Sequence, residues 1–172
     1  MDTEERRKRI DRLIATSALP ITGADLAARM GVTRQVVVQD VAVLRAGGAP
    51  ILATPAGYVW VDKPSSPRAV RVLSCKHSSL EDAKEELMII VRAGGTVRDV
   101  IVEHPIYGEL TGSLLLRTPE AVEALIEQLG RPGVQMLSAM TGGVHMHIIE
   151  APSELILDEI ELSLLKAGIL SS

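Results

Sequence analysis

The chain has 172 residues, enough for one domain of moderate size or for two small ones. Hydrophobic residues make up 47% of it and charged residues 23%, a balance that excludes an intrinsically disordered protein. The net charge of -4 hides an asymmetry, because residues 1–64 carry two more basic than acidic residues whereas the remainder carries an excess of six acidic ones, so any polyanionic partner is expected at the N-terminal part.

Three further features concern the cellular compartment. No apolar run approaches the roughly 18 residues that a membrane helix needs. The chain starts with charged residues that do not resemble a secretion signal. The single cysteine, Cys75, excludes an internal disulfide framework and fits a reducing interior. Together these features predict a soluble cytoplasmic protein with no membrane partner.

The spacing of apolar residues predicts three helices in the first part of the chain. The first covers Glu4 to Ser17 and the second runs from about Gly23 to Met30. Gly31 ends the second helix, because glycine adopts the left-handed conformation at the smallest cost. Thr33 is a good N-cap for the third helix, Arg34 to Arg45.

Two short apolar runs follow, Ile51–Thr54 and Gly57–Val61, and they predict a hairpin. Three helices and a hairpin are the layout of a winged helix-turn-helix, whose third helix enters the major groove of DNA. The stretch ITGADLAARMGVTRQVVVQDVAVLRAGGAPILATPAGYVWV resembles the winged-helix domains of biotin-repressor-type bacterial regulators. The alternative is a helical bundle that makes protein contacts.

The inward residues of the third helix determine which of its side chains could touch DNA. With Val37, Val41 and Leu44 buried, a polar set near its N-terminus is left exposed. Arginine pairs with guanine, glutamine with adenine, and valine contacts the thymine methyl group. The residues predicted to contact a double-stranded operator are Thr33, Arg34, Gln35, Val38 and Gln39. The alternative is that these residues only form a solvated helix face.

The segment from Asp62 to Pro67 contains two prolines and two serines between apolar stretches. Proline stops both helices and central strands, so this segment is predicted to be a linker. The sequence therefore predicts a DNA-binding domain at 1–64 and a second domain at 68–172.

The second domain alternates strands with helices. Ser79 and Thr118 are N-caps, and Gly130 ends a helix. The order predicts an α+β domain in which helices cover one face of an antiparallel sheet. Strands are expected at 69–77, 96–103, 109–116 and 144–150, and helices at 80–93, 119–129 and 153–167.

The strand 144–150 has apolar residues on both faces. Val144, Met146 and Ile148 lie on one face, and Ile149 lies on the other. One face can pack against the helices, and the other is left for a ligand or a second subunit. We expect a homodimer, which also suits a DNA-binding protein that reads paired half-sites.

All four histidines lie in the second domain. His145 and His147 are two residues apart on a strand and therefore point to the same face, a common arrangement for two ligands of one metal ion. His77, at the end of another strand, could supply a third imidazole, although lone histidines are usually ordinary polar residues. Imidazole suits Zn, Ni, Co and Fe, and a carboxylate would complete the set. The candidates for it are Glu81, Glu85, Glu86 and Glu150.

The stretches CKHSSLEDAKEELMIIVRAGGTVRDVIVEHPIYGEL and GGVHMHII resemble the three-histidine (3H) domain that follows a winged helix in niacin-responsive repressors of NAD biosynthesis. The resemblance implies an HPr-like two-layer α/β fold. It also implies one divalent transition metal per chain, bound by a histidine, a glutamate eight residues later and the two histidines of H-x-H. Carried over to this sequence, these are His77, Glu85, His145 and His147.

His104 lies outside this metal set, before Pro105 in a turn. It could bind a ligand together with Tyr107, or it could hydrogen-bond its own loop.

The resemblance implies a homodimeric repressor, not an enzyme, that senses nicotinic acid or a related pyridine carboxylate and controls NAD biosynthesis or niacin uptake genes. Two alternatives stay open. One is a metal-containing regulator that responds to another small molecule. The other is a metal-dependent hydrolase fused to a DNA-binding module, although the sequence offers it no nucleophile or acid–base pair and Cys75 is expected to pack in a core.

Overall fold

A computed structural model of the chain describes residues 2–62, 66 and 68–171. The chain forms two compact units, Met1–Lys63 and Pro64–Ser172. Pro64 and Pro67, on which the predicted linker depends, lie outside the described residues. Within the described ranges, no helix is both long and apolar enough to cross a membrane.

The first unit has the three helices and the hairpin that the sequence predicts, with ends that differ by at most one residue. Thr22 and Thr33 cap the second and third helices by accepting a hydrogen bond from a backbone N–H. Gly31 ends the second helix with a φ of 67°, the left-handed conformation expected of it. The elements are α1 (Thr3–Thr16), α2 (Gly23–Met30), α3 (Arg34–Ala46), β1 (Ile51–Thr54) and β2 (Gly57–Trp60).

A buried ion pair fixes α3 against α1. The carboxylate of Asp40, on α3, lies 2.6 Å from Nε of Arg6 and 2.9 Å from Nε of Arg7. Burial raises the pKa of Asp40, but the hydrogen bonds and charges of the two guanidinium groups outweigh this effect and hold the pKa below its usual value. Apolar side chains from all three helices complete the core of this unit, Ile10, Ile14, Leu26, Val37 and Val41 among them.

The second unit is an α+β domain, which confirms the predicted fold class. Its four strands form one antiparallel sheet in the order β3-β6-β4-β5. A short 3-10 helix, Leu137–Thr141, was not predicted. The other elements are β3 (Ala69–Lys76), α4 (Leu80–Arg92), β4 (Thr96–His104), β5 (Gly108–Leu116), α5 (Pro119–Leu129), β6 (Val144–Ala151) and α6 (Glu154–Lys166).

The two faces of this sheet differ. Along β6 the residues from His145 to Ala151 are buried at every second position, whereas the alternate positions are partly or fully exposed. The buried face packs on the three helices to form one core. On the opposite face, Val70, Val72 and Val144 are 50%, 54% and 40% exposed. The sheet therefore has a covered side that includes two histidines and an opposite side on which several apolar side chains stay exposed among the described residues of this unit.

Candidate functional site

Three histidines meet at one end of the paired strands β3 and β6. Cys75 lies directly opposite His145 in the register, and His77 follows the last residue of β3. His145 and His147 share the covered face of the sheet because they are two residues apart. The side chains of all three histidines are at most 5% exposed.

The centre of this cluster is the carboxylate of Glu86, on α4. Its Oε2 contacts Nε2 of His77 and lies 3.2 Å from Nε2 of His145, and its Oε1 lies 3.1 Å from Nε2 of His147. Glu86 itself is 1% exposed. We call these four residues the Glu86 cluster.

Glu85, which the resemblance assigned to the metal, is exposed and is not part of the cluster, where the structure places Glu86 instead. Consecutive helical residues are rotated by about 100°, so Glu85 points to solvent where Glu86 points inward. Ala83 and Ile90 are buried neighbours of Glu86 on the same side of the helix, at spacings of three and four. The signal in the sequence that could have identified Glu86 was its position in the apolar stripe of a helix. The family's spacing of eight residues from His77 does not reveal that position.

The other carboxylates weighed for this role also lie outside the cluster. Glu81 is exposed in the first turn of α4. Glu150 lies on the other face of β6, where Arg98 contacts it at 3.1 Å.

The hydrogen bonds of two imidazoles determine which ring nitrogen carries the proton. Nδ1 of His145 is 2.8 Å from the carbonyl of Gly143, and Nδ1 of His147 is 2.9 Å from the carbonyl of Asp99. A carbonyl only accepts, so both Nδ1 atoms donate. In a neutral imidazole Nε2 is then an acceptor, and here it faces a carboxylate, which is also an acceptor. Such an arrangement requires positive charge between the groups, either as protons on the imidazoles or as a metal ion.

The pKa values of Glu86 and His145 are shifted in the directions expected for a carboxylate surrounded by imidazoles. Burial raises the pKa of Glu86, but the charge of His147 and the contacts with the imidazoles of all three histidines hold that pKa well below its usual value. Burial lowers the pKa of His145, but its hydrogen bond to Glu86 and the charge of that carboxylate outweigh burial, so the pKa is raised. The carboxylate is therefore ionised, as a metal ligand must be.

The donor set fits a divalent transition metal. Three imidazole nitrogens and one carboxylate are ligands that Zn, Ni, Co and Fe accept. Oε1 of Glu86 is buried and makes no hydrogen bond of good geometry with the described residues. A metal ion at this point would use that oxygen and the Nε2 atoms that now face it.

Cys75 lies beside the Glu86 cluster as well as in the core. Its Sγ, a carboxylate oxygen of Glu86 and a ring nitrogen of His145 all lie within 4.8 Å of one another, a possible metal-binding triad. Burial, and then the charge of Glu86, raise the pKa of its thiol. The expectation that Cys75 packs in a core holds, since it is fully buried, but its position beside the cluster was missed. The signal was its spacing of two from His77, which places both on one face of a strand.

Gly143 permits the close approach of the two strand ends. Its φ is 96°, and a Cβ added there would overlap the backbone carbonyl of His77. Its own carbonyl accepts hydrogen bonds from the backbone N–H of His77 and from Nδ1 of His145. One glycine therefore sets the positions of two of the three histidines.

His104 uses Nδ1 within its own turn, where it accepts hydrogen bonds from the backbone N–H groups of Ile106 and Tyr107 at 3.1 and 3.2 Å. This is one of the two roles expected for it. The Tyr107 ring lies beside the imidazole, with 4.9 Å between the ring centroids, and is 73% exposed. A ligand contact by either residue stays a prediction.

The first unit presents the candidate DNA-binding surface. Its helix α3 buries Val37 and Asp40 against the rest of the unit. The five residues predicted to contact DNA are all exposed: Thr33, Arg34, Gln35, Val38 and Gln39. The arrangement leaves them available to a groove, and contact with DNA by these particular residues stays a prediction.

Comparisons with known proteins match both units. Residues 6–59 match a family model described as an HTH domain, and residues 70–172 match one described as a 3H domain. The probable transcription repressor NiaR of Thermotoga maritima is 42% identical over 167 residues, which cover 97% of this chain and 94% of the relative. The transcription repressor NadR of Bacillus subtilis is 40% identical over 167 residues, which cover 96% and 92%.

Gly143→Ala tests whether the close strand approach builds the cluster. The added methyl group must displace the His77 backbone, so we expect the free energy of unfolding of the second unit to fall by about 2–3 kcal/mol. Gly142→Ala is the matched control. Its φ of 64° is also left-handed, but nothing lies within 4 Å of an added Cβ, so its cost is about 1 kcal/mol. Chemical denaturation measures both, and equal losses would contradict the role given to Gly143.

Proposed function

The chain belongs to the family of transcription repressors that join an HTH domain to a 3H domain, and we propose that it senses nicotinic acid or a related pyridine carboxylate through a metal in the second domain. Residues 1–64 would bind a double-stranded operator and residues 68–172 would regulate that binding. The genes controlled would be those of NAD biosynthesis or niacin uptake. Family membership also removes the hydrolase alternative, because the matched relatives are repressors and not enzymes.

The metal proposal is supported mainly by one observation: in the Glu86 cluster, hydrogen-bond acceptors of the carboxylate and of the imidazoles face each other. A buried carboxylate faces Nε2 of two imidazoles whose protons are committed to backbone carbonyls on the other side. A divalent cation bound by His77, Glu86, His145 and His147 would satisfy all of these groups together. Zn, Ni, Co and Fe all suit this set. When bound, the ion supplies positive charge that joins β3, β6 and α4.

DNA binding is a property of the HTH domain, and the finer proposal concerns how α3 reads the operator. Arg34 and Gln35, in its first turn, have the chemistry to hydrogen-bond guanine and adenine, and Val38 to contact a thymine methyl group. Thr33 and Gln39 flank them on the exposed side. The protein would act in the cytoplasm, where it meets the DNA.

We also propose that the repressor is a homodimer. The uncovered face of the sheet has Val70, Val72 and Val144 exposed beside the partly buried Met146 and Ile148. A second copy of the chain would bury this apolar surface. A two-fold pair of α3 helices could then read two half-sites of an operator, as dimeric helix-turn-helix proteins do.

Sensing requires that the effector bind one arrangement of the protein more tightly than another. Nicotinic acid would favour the arrangement that binds the operator and so act as a co-repressor. The affinities of effector and operator would then rise by the same factor, because coupling between two sites is reciprocal.

Arg34→Ala tests the DNA-reading helix. Loss of a bidentate base contact should weaken specific operator binding by roughly 1–3 kcal/mol. Arg12→Ala is the control, because it removes the same charge from the exposed surface of α1 and should have a smaller effect. Fluorescence anisotropy at one fixed salt concentration, with a duplex selected from random sequence, gives both affinities. Equal weakening in the two variants would contradict a base contact by Arg34.

Glu86→Gln tests the metal centre, and Glu85→Gln is its neighbouring control. The first change removes a buried charged ligand and should sharply lower metal content and affinity, whereas the second alters only an exposed side chain. Affinity in the unmodified protein should fall as the pH falls, because protons compete for imidazole, and the loss should begin above the ordinary histidine value of about 6.5 because the pKa of His145 is raised. Elemental analysis and metal titration provide the readouts. Full metal content in the double variant His145→Ala/His147→Ala would refute the site.

Operator binding with and without nicotinic acid tests the proposed sensing. In the metal-loaded protein we expect nicotinic acid to tighten operator binding roughly tenfold, within the usual range for coupled sites. After removal of the metal by a chelator the effect should disappear. An unchanged operator affinity, together with no heat of nicotinic acid binding in calorimetry, would refute niacin sensing and leave DNA binding untouched.

A further inference from the structure

The exposed side of α3 carries two arginines and, within this fully described helix, no carboxylate. Arg34 begins the helix and Arg45 lies in its last turn. They are 11 residues apart, close to three full turns, so both project from the same side of the helix. Val38 and Ala42 are also exposed and lie between them on that side. The four residues therefore form one row along α3.

The carboxylate that α3 does contain does not reduce the positive charge of this row. Asp40 is the only acidic residue of the helix, is 1% exposed and pairs with Arg6 and Arg7. The side chains of Arg34 and Arg45 are exposed and make no ion pair with any residue that the structure describes. In a chain with a net charge of -4, the row is a local region of positive charge that suits a polyanion.

The two arginines differ in their surroundings. A Cβ added to Gly23, the first residue of α2, would lie 3.4 Å from Nε of Arg34 and 3.6 Å from Cε2 of Tyr58, so both side chains flank that glycine. Tyr58 is itself fixed, because its backbone exchanges hydrogen bonds of 2.8 and 3.0 Å with Ile21. Arg34 therefore has packed neighbours, whereas the side chain of Arg45 is held by no hydrogen bond or ion pair among the described residues.

These surroundings suit two kinds of DNA contact. A bidentate base contact needs a defined guanidinium position, and a side chain that is already ordered loses less entropy on binding. A phosphate contact is mainly electrostatic and carries no sequence information, so a mobile cation is sufficient for it. The row also spans about 16 Å along the helix axis, more than the roughly 12 Å width of the major groove. With Arg34 over the bases, Arg45 comes to the edge of the groove.

We propose that Arg45 binds a phosphate of the DNA backbone at the edge of the major groove that α3 enters. The proposal rests on the proposed function and adds a residue to the five predicted contacts. It also divides the roles within α3. Arg34 contributes to the choice of sequence, and Arg45 contributes affinity for any sequence.

The test measures binding of the full chain to two duplexes of equal length over a range of salt concentrations. One duplex is selected from random sequence for tight binding, and the other is a scrambled version of it. In Arg45→Gln the slope of log affinity against log salt should become shallower by about 0.9, the counterions released by one phosphate contact. At 0.1 M salt this corresponds to roughly eightfold weaker binding of both duplexes, so the preference between them should not change.

Three further variants separate charge, position and sequence reading. Arg45→Lys keeps the charge and should keep the salt slope. Arg12→Gln removes an exposed arginine from α1 and should leave both the slope and the preference unchanged. Arg34→Ala should lower the preference for the selected duplex about tenfold, as expected when a base contact is lost.

An unchanged slope in Arg45→Gln, or an equal change in Arg12→Gln, would overturn the phosphate contact while the proposed operator binding stands. Loss of the preference in Arg45→Gln without a change of slope would place Arg45 on a base and overturn the proposal as well. If the unmodified chain prefers no duplex, the proposed operator binding and this inference both fail.

Discussion

The buried carboxylate of Glu86 is the constraint on which the second unit depends. A charge removed from water is tolerated only when compensating groups surround it, and here those groups come from two strands, while the charge itself lies on a helix. His77 follows β3, His145 and His147 belong to β6, and Glu86 itself lies on α4. The helix layer and the sheet must therefore keep one relative position, because any shift would leave the carboxylate without partners.

The first unit solves a similar problem with different chemistry. Asp40 is as deeply buried as Glu86, but its partners are the guanidinium groups of Arg6 and Arg7. Arginine is always charged, so this pair is complete without any further ion. Imidazole can be neutral, so a carboxylate among histidines needs protons or a metal to balance it. The difference in partner explains why the Asp40 pair is structural and the Glu86 cluster is a candidate binding site.

Local signals in the sequence predicted most of the fold and only part of the site. Caps such as Thr33 and the alternation that pairs His145 with His147 are short-range features, and the structure has both. Which glutamate points inward depends on the side of the helix on which it lies. A spacing carried over from another family member does not determine that side. The spacing of Cys75 from His77 indicates only that the two share a strand face. Its position opposite His145 depended on the register between β3 and β6, strands about 70 residues apart, and such pairing is not visible in one sequence.

The location of each histidine relative to its strand accounts for the hydrogen bonds that its ring makes. His145 and His147 lie inside β6, where the carbonyls of Gly143 and of Asp99 on the neighbouring strand are within reach of Nδ1. His77 comes after the last residue of β3, and among the described residues its Nδ1 has no hydrogen-bond partner. The side chains of the three histidines are at most 5% exposed, so the sheet and the helices close the cluster around Glu86. Among the described residues, the buried imidazole nitrogen that lacks a hydrogen-bond partner therefore belongs to the histidine at the strand end.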